Sequence, residues 1–251
     1  MTLDFLETPA RQAATLREIE HRPWPLPDAG WAQGQTWEQL LFAHWVVPLE
    51  TLRAHLPPEL EVDTFGGDAY LGITPFRVSG LRLRGLPPLP VVSSFLEVNC
   101  RTYVSHGGEK PGIWFFSLDA SSRLAVEGAR RLYKLPYFRA SMSGPPRFSS
   151  VRQGDVERVW ECSYRPTGTA APAEPATLEH FLAERYCLYT TDESGRLHRA
   201  EIHHPPWPLQ EAEAEVLRNT LPREGNEVEG EPHVLYSERQ DVLIWALEPV
   251  D

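Results

Sequence analysis

Hydrophobic residues are grouped in short segments along this chain, and in the clearest of them, residues 95–104, hydrophobic and polar residues alternate with a period of two. This period is typical of β-strands that bury one face. The 24 prolines and 17 glycines interrupt the segments, which favours many strands joined by turns over long helices. The predicted strands cover residues 37–47, 59–65, 69–81, 94–105, 112–119, 137–143, 148–153, 156–166, 186–192, 197–204 and 233–250.

A few short helices are predicted beside the strands. The first begins at Thr8 and Pro9 and ends near Ile19, and another begins at Ser121 or Ser122 and ends before Pro136. The fold class is therefore mainly β (α+β): a closed antiparallel β-barrel or strongly curved sheet with helices outside. The length suits a single domain over residues 1–251, in which residues 1–35 form an N-terminal helix and arm.

Two hairpins are predicted from their turns. Gly66, Gly67 and Asp68 supply the positive φ angles that a tight turn between strands 59–65 and 69–81 requires. Residues 106–111 form the second turn, which joins strands 94–105 and 112–119. Lys110 lies in this second turn, and we expect its side chain to be solvated.

One predicted strand carries a polar face. Between residues 95 and 104, the alternation places Leu96, Val98, Cys100, Thr102 and Val104 on one side, and Phe95, Glu97, Asn99, Arg101 and Tyr103 on the other. An ordinary solvated sheet face explains such a pattern. The alternative is a barrel cavity in which a few polar groups orient a small ligand. Glu97 and Arg101 are roughly 13 Å apart along an extended strand, so they would contact different parts of a ligand or different neighbours.

Charge and composition exclude several kinds of partner. The net charge of −11 opposes binding to nucleic acid and to anionic membranes, both of which rely on clustered lysine and arginine. No segment approaches the roughly 20 apolar residues that cross a bilayer, and the N-terminus lacks the apolar run of a signal peptide. The three separated cysteines suit a reducing compartment. We expect a cytoplasmic protein without nucleic-acid or membrane partners, and leave open whether it forms a homo-oligomer.

Other candidate chemistry is less specific. His198, Glu201, His203 and His204 contain zinc-ligand types, but adjacent residues of a strand face opposite sides, so a structural strand end is the favoured interpretation. His44, in an aromatic strand, is interpreted as a core histidine or as a member of the site. The sequence contains no G-x-S-x-G elbow, P-loop or dinucleotide fingerprint. We expect no metal and no cofactor.

Three segments together carry a family resemblance: "LLFAHWVVPLETLRAHLPPELEVDTFGGDAYLGITPFRVSGLRLRGLPPLP", "FLEVNCRTYV" and "GIWFFSLDASSRLAVEGARRLYKLPYFRASM". From about residue 36 onward, the chain resembles the uncharacterised YqjF-like family, domain of unknown function 2071. That family is similar to a branch of the acetoacetate decarboxylase superfamily. The resemblance implies a closed β-barrel with a central cavity.

The resemblance also implies that the decarboxylase nucleophile is missing. In "GARRLYKLPYF", which is similar to the decarboxylase pattern G-R-E-x-x-x-x-P-K-K, Tyr137 and Phe138 occupy the two lysine positions. Those lysines form and activate a Schiff base in the decarboxylases. The chain contains only two lysines, Lys110 and Lys134, and neither follows the proline. We therefore expect that this protein is not a lysine-dependent acetoacetate decarboxylase.

Other family positions are mixed. By the resemblance, Trp45 and Val46 stand nearest to the decarboxylase arginine that holds the substrate carboxylate, so that arginine is missing, while Glu97 is the residue that the resemblance matches to the cavity glutamate. We expect a cavity that binds a small apolar or weakly acidic molecule. Its candidate ligand-binding residues are Glu97, Arg101, Tyr137, Arg139 and His44. The alternative is a lyase or acid-base enzyme acting on a small carbonyl or oxo-acid compound, with Glu97 and Tyr137 transferring protons.

Overall fold

The computed structural model describes residues 3–88, 93–154, 157–222 and 225–250, with side chains from residue 7 onward. Its helices are α1 (Leu3–Ala14), α2 (Leu49–Arg53), α3 (Arg123–Tyr133) and α4 (Leu178–Ala183), with a 3₁₀ turn at Thr15–Arg17. The strands are β1 (Gln33–Val47), β2 (Leu60–Val62), β3 (Ala69–Leu83), β4 (Phe95–His106), β5 (Glu109–Ala120), β6 (Tyr137–Ser143), β7 (Arg147–Arg152), β8 (Val159–Pro166), β9 (Cys187–Thr191), β10 (Leu197–His203), β11 (Gln210–Asn219), β12 (His233–Ile244) and β13 (Glu248–Pro249). The first residue of the predicted strand 156–166 lies outside the described residues.

The strands close into a nine-strand barrel in the order β5, β6, β7, β8, β11, β12, β1, β3 and β4. Further pairings of β5 with β9 and of β10 with β12 close a seven-strand ring that shares β1, β3, β4, β5 and β12 with the barrel. The fold is mixed rather than purely antiparallel, because β5 pairs in parallel with both β6 and β9. Helix α3 makes the crossover that a parallel β5–β6 pair requires.

The two rings have different interiors. The nine-strand barrel is filled by a packed cluster that includes Leu41, Val98, Phe148 and Trp160. The opposite faces of the shared strands point into the seven-strand ring, which contains a cavity. Successive residues of a strand face opposite sides, so alternate residues of β1, β3 and β4 point into the packed interior of the nine-strand barrel and into the cavity of the seven-strand ring.

The N-terminal segment packs against the barrel. The predicted helix from Thr8 to Ile19 is displaced toward the N-terminus, since α1 is followed by the 3₁₀ turn at residue 15. Gln12 is fully buried, and its side chain bonds to Thr36, to the carbonyl of Gly80 and to Arg82. These contacts tie the arm to β1 and β3. Among the described residues, no helix is long and apolar enough to cross a membrane.

One predicted hairpin is confirmed and the other is wrong in its pairing. Strands β4 and β5 pair antiparallel around the turn at Gly107 and Gly108. The turn at Gly66 and Gly67 also forms, with Phe65 and Asp68 bridged across it. However, β2 then pairs with β4 instead of β3, while β3 pairs with β1 and β4. The turn reverses the chain locally, but the strand with which β2 pairs is determined by the rest of the sheet.

Candidate functional site

A cavity of about 450 Å³ lies inside the seven-strand ring, with α3 along one side. This volume falls within the usual range of small-molecule sites, about 300–1,000 Å³. Its walls are mostly aromatic and aliphatic; they include Trp37, Leu40, Phe76, Phe95, Phe115, Leu118, Leu188, Ile202 and Ile244. The polar side chains in the wall are Gln33, Gln35, Thr74, Arg82, Glu97, Asn99, Arg101, Tyr133 and Tyr137.

The polar face of β4 forms one wall of the cavity. Phe95, Glu97, Asn99 and Arg101 line it in succession, as the period of two predicts. The side chains are not solvated in the manner of an ordinary sheet surface, since Glu97 and Arg101 are only 4% and 5% exposed. The interpretation of this strand as a solvated sheet face is therefore wrong.

Glu97 and Tyr137 form a direct contact. The Tyr137 hydroxyl donates a hydrogen bond to Glu97 Oε2 at 3.0 Å. The pKa of Glu97 is raised to about 8, mainly by burial of the carboxyl group. Hydrogen bonds from Tyr137 and Asn99 lower this pKa in part, and the charge of Asp119 raises it. Burial and the neighbouring Glu97 hold the pKa of Tyr137 well above 10. Near pH 7, Glu97 is therefore mostly a neutral acid that can donate a proton.

Arg101 is a buried cation without a carboxylate partner among the described residues. Its Nε atom has no hydrogen-bond partner, and its Nη2 makes only long contacts to the Tyr103 hydroxyl (3.4 Å) and the Leu182 carbonyl (3.5 Å). The rings of Phe42 and Tyr103 lie 5.4 and 5.7 Å from the guanidinium carbon. An unpaired buried charge is costly, and aromatic contacts offset only part of that cost.

His44 lies behind the cavity wall and does not line it. Its Nε2 is 2.6 Å from the Tyr103 hydroxyl, which donates to the Leu182 carbonyl and also contacts Arg101. Burial lowers the pKa of His44 well below 6.5, with Arg101 and His233 contributing. His44 is thus a neutral residue that supports Tyr103. Gly72 leaves room for it, since a Cβ there would lie 2.8 Å from the imidazole.

Arg139 does not join the candidate site. It is exposed and does not line the cavity wall, although it was predicted to be one of the ligand-binding residues. The reason is the path of β6, which pairs with β5 only from Tyr137 to Arg139 and then pairs with β7 in the nine-strand barrel. Tyr137 faces the cavity because it is the first residue of β6, where this strand still pairs with β5.

Neither lysine lines the cavity. Lys134 is exposed and caps α3 in a left-handed conformation, with φ of 52°. The prediction that Lys110 lies in a solvated turn is wrong. Lys110 belongs to β5, and its Nζ lies 2.8 Å from Glu201 Oε1 and 5.5 Å from the centre of the Trp24 ring. Neither amine is therefore placed to react with a molecule bound in the cavity.

The histidine-rich strand end serves structural contacts. Glu201 accepts hydrogen bonds from Arg22, Trp24 and Lys110, while His198 contacts Asp192. His203 contacts the backbone carbonyl of Thr15. No three His, Cys, Asp or Glu residues group closely enough to hold a metal ion in the part of the chain that the structure describes.

Several lining residues were not identified from the sequence. The side-chain hydroxyl of Thr74 bonds to Asn99, and Arg82 bonds to Gln12 beside the arm. Helix α3 presents Ala125, Gly128 and Ala129 to the cavity. Their spacing of three and four places them on one helical face, so a stripe of small residues was the available signal. Four leucines at the mouth were also missed: Leu83, Leu86, Leu124 and Leu132.

Comparison with known families places these features in context. Residues 34–241 match the family DUF2071, described as an uncharacterized conserved protein. The uncharacterized protein YqjF of Bacillus subtilis (strain 168) is 44% identical over 229 residues, which cover 88% of this chain and 94% of the relative. The family match spans β3, β4, β5, β6, β9 and β10 and most of β1 and β12.

Solved structures with the same fold are much more distant in sequence. An acetoacetate decarboxylase from Legionella pneumophila has a TM-score of 0.60 at 13% identity, covering 94% of each chain. The enduracididine biosynthesis enzyme MppR, in complex with pyruvate, has a TM-score of 0.61 at 13% identity, covering 92% of this chain and 93% of its own. An acetoacetate decarboxylase-like enzyme from Sphingomonas wittichii RW1 reaches 0.61 at 11% identity, covering 93% and 99%. The fold is therefore acetoacetate decarboxylase-like.

Proposed function

The chain belongs to the DUF2071 family of uncharacterized conserved proteins, and we propose that it binds a small apolar or weakly acidic molecule in the barrel cavity, without Schiff-base decarboxylase activity. The observation that carries this proposal is a ligand-sized, mostly apolar cavity whose few polar groups are buried in its wall. Apolar walls supply binding free energy, while a small number of fixed polar groups orient the ligand.

The absence of imine chemistry is supported by the residues that follow Pro136 and by the positions of the two lysines. Tyr137 and Phe138 occupy the two positions after Pro136, and neither side chain carries an amine. Lys134 is exposed at the end of α3, and Lys110 is paired with Glu201. An activated lysine requires a desolvated pocket or a neighbouring cation. Neither amine lies in the cavity where such activation would serve a bound ligand.

A second candidate function is supported by the Glu97–Tyr137 contact. A carboxyl group with a pKa raised to about 8 is suited to general acid catalysis near neutral pH. In this alternative, the protein is a lyase or acid-base enzyme that acts on a small carbonyl or oxo-acid compound. Protonated Glu97 donates its proton to the carbonyl oxygen, and Tyr137 remains its hydrogen-bond donor. Binding is favoured over this alternative because no lysine, cysteine, serine or histidine accompanies the pair among the described residues of the wall.

A thermal-shift screen of apolar and weakly acidic metabolites tests the proposal. A ligand at 100 times its dissociation constant adds about 2.7 kcal/mol to the free energy of unfolding. Gly128→Phe is designed to narrow the mouth, because a Cβ at Gly128 meets nothing within 4 Å. Glu127→Phe, on the exposed side of the same helix, is the matched control.

The proposal predicts hits whose stabilisation is lost in Gly128→Phe and kept in Glu127→Phe. A screen without hits, or hits that bind both variants equally, would contradict a site in the cavity. Conversion of a hit to product would favour the enzymatic alternative.

A further inference from the structure

Arg101 lies at one end of the cavity wall, and four leucines lie at the other end. Along β4, Phe95 comes first, Glu97 and Asn99 follow, and Arg101 lies furthest along the wall. Leu83, Leu86 and helix α3 line the cavity with Phe95, and the four leucines of the mouth are more than half exposed there. Six residues of extended strand span roughly 20 Å, so the mouth and Arg101 are far apart.

Arg101 lines the inner end of the cavity and has no carboxylate partner among the described residues, which suits it to bind an anion. A guanidinium stays charged in proteins and presents its N–H groups in a fork that matches a carboxylate. Here the Nε–H is buried without a partner, and no carboxylate of the described residues pairs with the group. The neighbouring polar groups on that side are Tyr103 and neutral His44, neither of which supplies a negative charge.

Glu97 does not compete with such an anion. Its carboxyl group is mostly protonated near pH 7, and it is four residues away from Arg101 on the same face. A single negative charge can therefore enter the cavity without strong repulsion. Arg82, the other arginine in the wall, donates hydrogen bonds to Gln12 and to the Pro9 carbonyl. Arg101 is the one arginine at the inner end among the described lining residues, and one cation beside an apolar wall favours a monoanion over a doubly charged phosphate.

The mouth indicates what the rest of the ligand is. Leu83 and Leu86 lie on one side, and Leu124 and Leu132 of α3 lie on the other, with exposed fractions between 52% and 66%. Exposed large apolar side chains that are grouped at a cavity entrance mark a binding surface. Trp37, Phe76 and Phe115 continue the apolar surface inward.

We propose that the ligand is an amphipathic monocarboxylate, whose carboxylate accepts hydrogen bonds from Arg101 and whose apolar chain extends past the aromatic wall to the leucine mouth. This inference rests on the proposed function and specifies the ligand class. The proposed ligand differs from short, wholly polar oxo-acids, because such acids would leave the aromatic wall and the leucines uncovered.

The test is isothermal titration calorimetry at pH 7 with two matched series: butanoate, hexanoate, octanoate and decanoate, and the corresponding 1-alcohols. Affinity for the acids should increase about fourfold for each methylene that is buried, equivalent to about 0.8 kcal/mol. Each acid should bind more than about tenfold tighter than its alcohol, because a hydrogen bond to a charged group is lost in the alcohol.

Arg101→Met provides the second arm, since methionine fills the space of the arginine stem without its charge. This variant should lose more than about tenfold in octanoate affinity and keep its octanol affinity, which also reports that the cavity remains folded. Equal binding of acids and alcohols by the natural protein would overturn the carboxylate assignment while leaving the proposed function standing. Affinity independent of chain length would overturn the apolar-chain assignment. If neither series binds, the inference fails, and the proposed function is judged by its metabolite screen alone.

Discussion

The Tyr137 hydroxyl lies 3.0 Å from Glu97 Oε2, and this hydrogen bond joins the strand after α3 to the polar face of β4. In the decarboxylase pattern that this segment resembles, the position that corresponds to Tyr137 is a lysine. The contact leaves a protonated acid and a phenol at the place where an amine nucleophile is expected. The chemistry of the wall is therefore that of hydrogen bonding and proton donation.

The pH dependence of stability tests the state of Glu97. The folded protein keeps this proton up to about pH 8, whereas the unfolded carboxyl group releases it near 4.5. The folded state therefore binds more protons between these values, and the free energy of unfolding falls as pH rises through this window. Glu97→Gln should remove this contribution, which amounts to up to about 5 kcal/mol by pH 9 at about 1.4 kcal/mol per pKa unit.

Urea unfolding of the natural protein and Glu97→Gln from pH 4 to pH 9 measures the difference. Glu213→Gln, on the exposed face of β11, is the matched control and should follow the natural protein. If the natural protein and Glu97→Gln show parallel curves, Glu97 ionises in the folded state as it does in the unfolded chain, and its assignment as a neutral acid is wrong.

Tyr137→Phe tests the hydrogen bond itself. The bond from Tyr137 favours the ionised carboxylate and lowers the pKa of Glu97, so its removal should raise that pKa further. Difference infrared titration of the carboxyl group, with Glu97→Gln as the reference, measures the change. Tyr164→Phe is the control, because its hydroxyl donates to the Gln39 carbonyl away from the cavity. A Glu97 pKa that is unchanged or lower in Tyr137→Phe would show that this contact does not act on the acid.

Borohydride trapping tests whether a lysine forms an imine. Incubation with acetoacetate and borohydride should leave the intact mass unchanged, because Lys110 is paired with Glu201 and Lys134 is solvated at the end of α3. A lysine-dependent acetoacetate decarboxylase treated in the same way supplies the positive control. A stoichiometric adduct mapped to Lys134 would contradict this account and return the chain to the Schiff-base enzymes.

Local sequence patterns predicted much of the wall. The alternation from Phe95 to Tyr103 assigned both faces of β4 correctly, since strand geometry makes that assignment wherever pairing is regular. Helix α3 also begins as predicted, with the Ser122 side chain accepting a hydrogen bond from the Ala125 amide. These features depend on neighbouring residues alone, so one sequence is sufficient to predict them.

The remaining features depend on which distant segments meet. The strand β11 was missed because its Glu-Ala alternation contains good helix formers, and only pairing with β8 and β12 fixes it as a strand. The pairing of β2 with the end of β4 joins segments about 40 residues apart, and the direction of Arg139 depends on where β6 leaves β5 to pair with β7. Lys110 was misplaced because its partner, Glu201, is 91 residues away.

The crystal structure of the protein grown with its tightest thermal-shift ligand tests the central claim most directly. The account predicts ligand density inside the seven-strand ring, bounded by Glu97, Asn99 and Arg101 on one side and by Gly128 of α3 on the other. The ligand should be bound noncovalently, with its most polar group toward Arg101 or Glu97. Density confined to the outer surface, or continuous with Lys134, would contradict the claim that the cavity is a noncovalent binding site.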